Sequence, residues 1–100
     1  MHGPLGPGHW TGDSALASSH EFLKAGRRYR VLRAFVDFDG DPHPRDEEWV
    51  FLGQSFLPHD DGLSLFVSLD GSREWQIRLQ WRPDAQGAIL DRLTDYIAPV

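Results

Sequence analysis

Apolar and polar side chains alternate without a break over EWQIRLQW (74–81): Trp75, Ile77, Leu79 and Trp81 fall on one face, Gln76, Arg78 and Gln80 on the other. Strict period two predicts a strand with one buried face. LSLFVSL (63–69) behaves similarly, with Leu63, Leu65, Val67 and Leu69 on one face and Ser64, Phe66 and Ser68 on the other. The DGSR stretch (70–73) between them is a hairpin signal, because Asp-Gly accepts the positive φ of tight turns. EEWVFLGQ (47–54) is apolar on both faces, Trp49 and Phe51 against Val50 and Leu52, which predicts a central strand covered on both sides. RRYRVLRAFV (27–36) follows a short FLKAG segment that turns at Gly26. Tyr29 and Val31 share a face, but Leu32, Phe35 and Val36 break the period, as a bulge or sharp bend would. After residue 81 the period changes. Pro83 suits a first helical position and Asp84 suits the helix dipole. Ile89, Leu90, Leu93, Tyr96 and Ile97 form one apolar stripe that Pro99 ends.

The order is β-β-β-β-α, an α+β and mainly β chain. Short links between successive strands imply an antiparallel meander. If the bent first strand curls toward the fourth, the result is a small SH3-like, partly open barrel with a C-terminal amphipathic helix. Residues 1–20 differ: they are rich in Gly and Pro, lack apolar periodicity, and are expected to form a flexible tail ahead of a single domain at 21–100. Trp10 is the exception, a side chain large enough to dock on the domain. The helix covers one face of the sheet. Val50, Leu52 and Phe66 share the face away from Leu65 and Val67; whichever face the helix leaves is covered by barrel closure or a partner, and these three are the candidate partner-binding residues.

Composition narrows the function classes. A net charge of −5 argues against general binding to a phosphate backbone. The absence of cysteine excludes disulfides and thiolate metal sites. No apolar run reaches membrane-spanning length and the N-terminus lacks signal-peptide regions, so a cytoplasmic location is expected. Phosphate-binding glycine motifs and His pairs at metal spacing are missing.

The stretch DFDGDPHPRDEEW (37–49) places Asp37, Asp39, Asp41 and Glu48 at the ligand spacing of a calcium-binding EF-hand loop. The backbone does not follow: Pro42, with its fixed φ, stands where such a loop must turn, and the flanks read as strands. A hairpin-type turn with Asp-Gly at its tip and prolines stiffening its exit is the favoured reading, so no metal or other cofactor is expected. His59, Asp60 and Asp61 could form acid–base equipment, but no nucleophile or oxyanion hole accompanies them and no catalytic constellation is recognisable. Meander topology puts them at the opposite end from Asp37. Lys24, Arg27, Arg28, Arg30 and Arg33 interleave with Tyr29, and Arg78 and Arg82 flank Trp81, a pattern used by single-strand binders. In an acidic protein these read as a polar sheet face, and nucleic acid is not expected as a partner.

The runs GRRYRVLRAFVDFDGD, EEWVFLGQSFLPHDDGLSLFV and WQIRLQWRPDAQ resemble a family of short bacterial proteins grouped as a domain of unknown function, over about residues 22–97. The resemblance implies a bacterial source and a compact domain, and no activity. One departure is RDEEW, where Asp46 or Glu47 replaces a glycine expected shortly before the Glu-Trp pair. The expected role is a non-catalytic interaction module that binds a protein partner or a second copy. The alternative is a small-ligand- or cation-binding domain using the acidic 37–48 loop or the barrel mouth.

Overall fold

A computed structural model describes residues 1–12, 16–57 and 62–100. The chain is mainly β. In order, the strands are β1 (His2–Leu5), β2 (Ser19–His20), β3 (Leu23–Lys24), β4 (Arg28–Val31), β5 (Phe35–Val36), β6 (Pro42–His43), β7 (Glu48–Leu57), β8 (Gly62–Ser68) and β9 (Glu74–Gln80). Two short helices follow, α1 (Gly87–Asp91) and α2 (Leu93–Tyr96), and then β10 (Ile97–Pro99). The main sheet has six strands in the order β1-β9-β8-β7-β4-β10, and β2-β3 and β5-β6 are separate two-stranded ribbons.

The expected meander is the centre of this sheet, β4-β7-β8-β9, antiparallel throughout. Its inward face carries the alternating residues read from sequence: Tyr29, Val31, Trp49, Phe51, Leu63, Leu65, Val67, Trp75, Ile77 and Leu79 are all buried in one cluster. Leu23, Leu90 and Leu93 pack onto that cluster, and Ile97 joins it from β10, opposite Val31 in the same sheet. The irregularity of 27–36 is a break: β4 ends at Val31, and Phe35 begins a new ribbon. A second irregularity lies between Phe51 and Gly53 in β7, where the pairing with β8 shifts register.

Three expectations are corrected. The sheet does not close into a barrel, because its outermost strands are β1 and β10 rather than a pairing of β4 with β9. The margin of β9 is instead satisfied piecewise. β1 pairs with it at Glu74 and Gln76, the Phe38 N–H donates to the Arg78 carbonyl (2.8 Å), and the Gln86 N–H donates to the Gln80 carbonyl (3.0 Å). Covering an edge with loops solves the same problem as closing it.

The single helix is interrupted at Arg92, whose φ of −131° and ψ of 45° leave the helical region. Ile97 is extended and pairs with Val31, so the apolar stripe is buried as expected, but its last member is buried from a strand. Ending the helix early frees Ile97–Pro99 to satisfy the margin of β4.

The Gly/Pro-rich opening is not a free tail over residues 1–12. It forms β1 against β9 and then crosses the outward face of the sheet, with the Trp10 ring stacked on Phe66 (5.2 Å). Composition alone missed this because the segment contributes backbone hydrogen bonds and one large ring rather than an apolar stripe.

The turn before β7 shows why the missing glycine matters. The Glu47 N–H donates to the Pro44 carbonyl (3.1 Å), and Asp46, third residue of this turn, has φ +75°. That is the left-handed geometry in which glycine is favoured. Asp46→Gly is expected to stabilise the chain by about 1 kcal/mol, a rise of about 4–8 °C in Tm for a domain of this size. Thermal unfolding followed by circular dichroism measures it; an unchanged or lower Tm contradicts the strain assigned to Asp46.

Candidate functional site

The ribbon formed by β5 and β6 sets Phe35 opposite His43 and Val36 opposite Pro42, leaving 37–41 as its tip. The Asp37 N–H donates to the Asp41 carbonyl (3.0 Å) and the Gly40 N–H to the Asp37 carbonyl (3.0 Å). The side chain of Asp37 organises the same loop: its Oδ1 accepts the N–H groups of Asp39 and Asp41, each at 3.0 Å. The acidic stretch is therefore a hairpin tip built around one carboxylate.

The remaining oxygen of that carboxylate meets a histidine. Asp37 Oδ2 lies 2.8 Å from His43 Nε2, and Glu47 Oε1 lies 2.7 Å from His43 Nδ1. The side chains of Asp37 and His43 are both closed to solvent. Phe35 stacks on the imidazole (4.7 Å, 17°), and Trp49 Nε1 donates to Glu47 Oε1 (3.2 Å). The terminal amine of Met1 sits 3.0 Å from Asp37 Oδ2 and also contacts the Asp41 carboxylate. A neutral imidazole has one donor nitrogen, whereas the imidazolium donates from both. Two flanking carboxylates select the charged form. Burial pulls the His43 pKa down, but the bonds from Glu47 and Asp37 outweigh it, and the pKa lies above its ordinary 6.5. Asp37 mirrors this: burial pushes it up, while His43, the terminal amine and the Asp41 N–H hold it below the usual 3.8.

This is a charged triad whose two ring nitrogens are both engaged, so His43 has no free nitrogen with which to take up a substrate proton. The four candidate metal ligands are not assembled as a ligand set. Asp37 is occupied as described, Asp39 pairs with Arg78 (3.1 Å), Asp41 receives the Met1 amine, and Glu48 sits on β7 facing Arg28 (3.9 Å). Among the described residues no group of three or more His, Asp or Glu side chains is arranged to hold a metal ion. A cavity of about 380 Å³ opens beside the triad, lined by Met1, His2, Asp39, Asp41, Gln76 and Arg78.

Of the other candidates, His59, Asp60 and Asp61 lie outside the described residues. The basic–aromatic interleaving of β4 does not reach the surface: Arg28 and Arg30 are exposed, but Tyr29 is buried, accepting the Lys24 N–H (2.8 Å) and donating to the Phe22 carbonyl (3.1 Å). Arg33 stacks on Tyr96, Arg78 on Phe38, and Trp81 Nε1 donates to Asp91 (2.9 Å). The partner-binding set is corrected at its centre. Val50 and Leu52 are half-buried, and Phe66 is only 4% exposed because Trp10 lies over it.

Two groups escaped the sequence reading. His43 follows Pro42 on a two-residue strand that points it inward beside Phe35, and Glu47 at i+4 is a spacing that does not by itself signal burial. Glu74, at the head of the clearest strand, is 3% exposed and faces the outward side. Its carboxylate accepts the N–H groups of Gly8 (2.8 Å), Trp10 (2.9 Å) and Thr11 (3.3 Å) and the Thr11 hydroxyl (2.5 Å). Burial raises its pKa, but these donors outweigh it and the net shift is downward.

The model of a domain of unknown function, DUF3601, matches residues 15–99. Among solved structures, an integron cassette protein from the mobile metagenome of Vibrio cholerae is 40% identical, covering 86% of this chain and 94% of its own, with a TM-score of 0.81. No curated protein matches the chain.

The triad makes stability depend on pH with a definite sign. A raised His43 pKa gives a contribution fully present below about pH 6.5 and lost as pH rises through the folded value. The lowered Asp37 pKa gives a contribution present above 3.8 and lost as pH falls through the folded value. Urea midpoints measured across this range are expected to decline on the alkaline side in the native chain. His43→Asn is expected to lose about 3 kcal/mol, because it removes the cation between Asp37 and Glu47 and leaves Asp37 only the Met1 amine, and to lose the part of the alkaline decline that begins near pH 6.5, leaving the later part that the raised Met1 amine contributes. A His43→Asn chain that keeps the native alkaline profile contradicts the assignment.

Proposed function

We propose that this chain, which belongs to the DUF3601 family of domains of unknown function, is a non-catalytic protein-interaction module of a bacterial cytoplasmic protein. The observation that carries the reading is a pair of exposed aromatic rings at one end of the sheet. Phe56 (43% exposed) meets Trp81 (38% exposed) edge to face at 6.3 Å. Beside Trp81 runs a groove of about 460 Å³, lined also by Arg82, Pro83, Gly87, Ala88 and Asp91. Large rings clustered at a surface groove are the usual anchor points of a protein partner. Among the described residues, His43 is meanwhile committed to Asp37 and Glu47. The integron cassette relative favours a bacterial source. No helix among the described residues is long and apolar enough to cross a membrane.

The cavity beside the acidic hairpin tip supports a second reading, a small-ligand- or cation-binding domain, since Asp39, Asp41 and Arg78 offer both charges at its rim.

The discriminating experiment compares capture by the native chain and by Phe56→Ser and Trp81→Gln variants of matched Tm. One defined protein, retained by the native chain and lost at least about tenfold with either variant, supports the module; that factor corresponds to about 1.4 kcal/mol, within the range of one anchor residue. A monomeric chain that retains no partner, and whose Tm rises saturably with one metabolite or with calcium, overturns it in favour of the second reading.

A further inference from the structure

Residues 1–12 lie on the sheet in the way a bound peptide would. β1 adds to the margin of β9 through only two paired positions, His2 with Gln76 and Leu5 with Glu74, and the register shifts between them. Beyond β1 the segment is held by backbone amides and one ring: the N–H groups of Gly8, Trp10 and Thr11 converge on the Glu74 carboxylate, and the Trp10 ring stacks on Phe66. The contacts read extended backbone plus an aromatic side chain, which is the chemistry of strand addition. The platform and its occupant also differ in origin. Glu74, Gln76 and Phe66 fall inside the matched family domain at 15–99, whereas residues 1–12 lie outside it. A carboxylate as buried as Glu74 requires donors in that place, because an unpaired buried charge is strongly destabilising.

We propose that the β9 margin, with Glu74 and Phe66, is a strand-addition site that residues 1–12 occupy in cis. Its outside occupant is an extended segment of a partner protein that brings free backbone amides and an aromatic ring. The N-terminal segment is then an internal competitor that keeps the site covered until such a segment displaces it. This rests on the reading of the chain as an interaction module, and it is independent of the Phe56–Trp81 groove.

Gly3 provides a way to loosen the segment without touching the platform. A Cβ at this position would lie 2.7 Å from the Glu74 carbonyl oxygen, and the backbone there has φ +136°. The test uses the full chain carrying Gly3→Ala or, separately, Trp10→Ala, with a synthetic peptide of residues 1–12 as probe, titrated by calorimetry. Amide exchange reports whether the margin at 74–76 and the amides of Gly8, Trp10 and Thr11 have opened while β7 and β8 stay protected. The expected result is saturable binding, at least tenfold tighter to the loosened chains than to the native one. A peptide carrying Trp10→Ala, or a loosened chain that also carries Glu74→Gln, is expected to lose at least tenfold. Equal binding to native and loosened chains, no binding once either variant has opened, or no opening in either variant overturns the proposal. Concentration-dependent dimerisation of the loosened chains that the peptide does not suppress also overturns it, since the occupant is then a second copy. Partner capture that Phe56→Ser and Trp81→Gln leave unchanged, with peptide binding as expected, supports the strand-addition site and removes only the groove reading.

Discussion

A sheet that carries Val50 and Phe66 on its outward face as well as a core on its inward one needs two covers, and that requirement shapes the rest of this molecule. The inward face is closed by α1, α2 and Leu23, as an α+β domain closes. The outward face at Phe66 is closed by a ring from the start of the chain, held there by a buried carboxylate. Burying Glu74 is tolerable only because the segment that brings Trp10 also brings the amides that satisfy it. Apolar cover and polar compensation arrive on one stretch of chain.

The same coupling governs the acidic hairpin. Asp37 can be buried because it terminates two backbone amides and a histidine, and His43 can be buried charged because Glu47 completes its second nitrogen. Phe35 then stacks on a ring that would otherwise be a poor neighbour for it. What looks from its composition like an exposed acidic rim is, at its centre, an inward-facing ion cluster. Asp39 and Asp41 remain at the rim and line a cavity.

The legible parts of the fold were those that repeat. Period two in 63–69 and 74–81 placed two strands to within a residue or two, and the Asp-Gly hairpin between them followed. The break in 27–36 was visible as a lost period. What could not be read depends on partners distant in sequence. The pairing of Ile97 with Val31 ended the helix, and the pairing of His2 and Leu5 with β9 ordered a segment whose composition argues for disorder. For the site, the hairpin tip was legible from Asp, Gly and Pro. The burial of His43 was not, because nothing local distinguishes a histidine facing inward beside Phe35 from one facing water. Asp46 lies between these cases: the turn was expected to want glycine, and the backbone adopts the glycine-like conformation with aspartate in place.

The piecewise cover of β9 has a consequence for how the chain is made. β1 precedes its partner residues Glu74 and Gln76 by about 70 residues, so it must wait for them to be made. The Phe38 N–H that bonds the Arg78 carbonyl waits for a further 40 residues. During that interval Trp10 and the acidic hairpin are both without their final neighbours, and the meander can assemble before either arrives. Long-range closures of this kind slow folding and expose unpaired edges while they are pending. The order of synthesis thus separates a meander that can form by local pairing from a β9 margin that is sealed by residues made long before it.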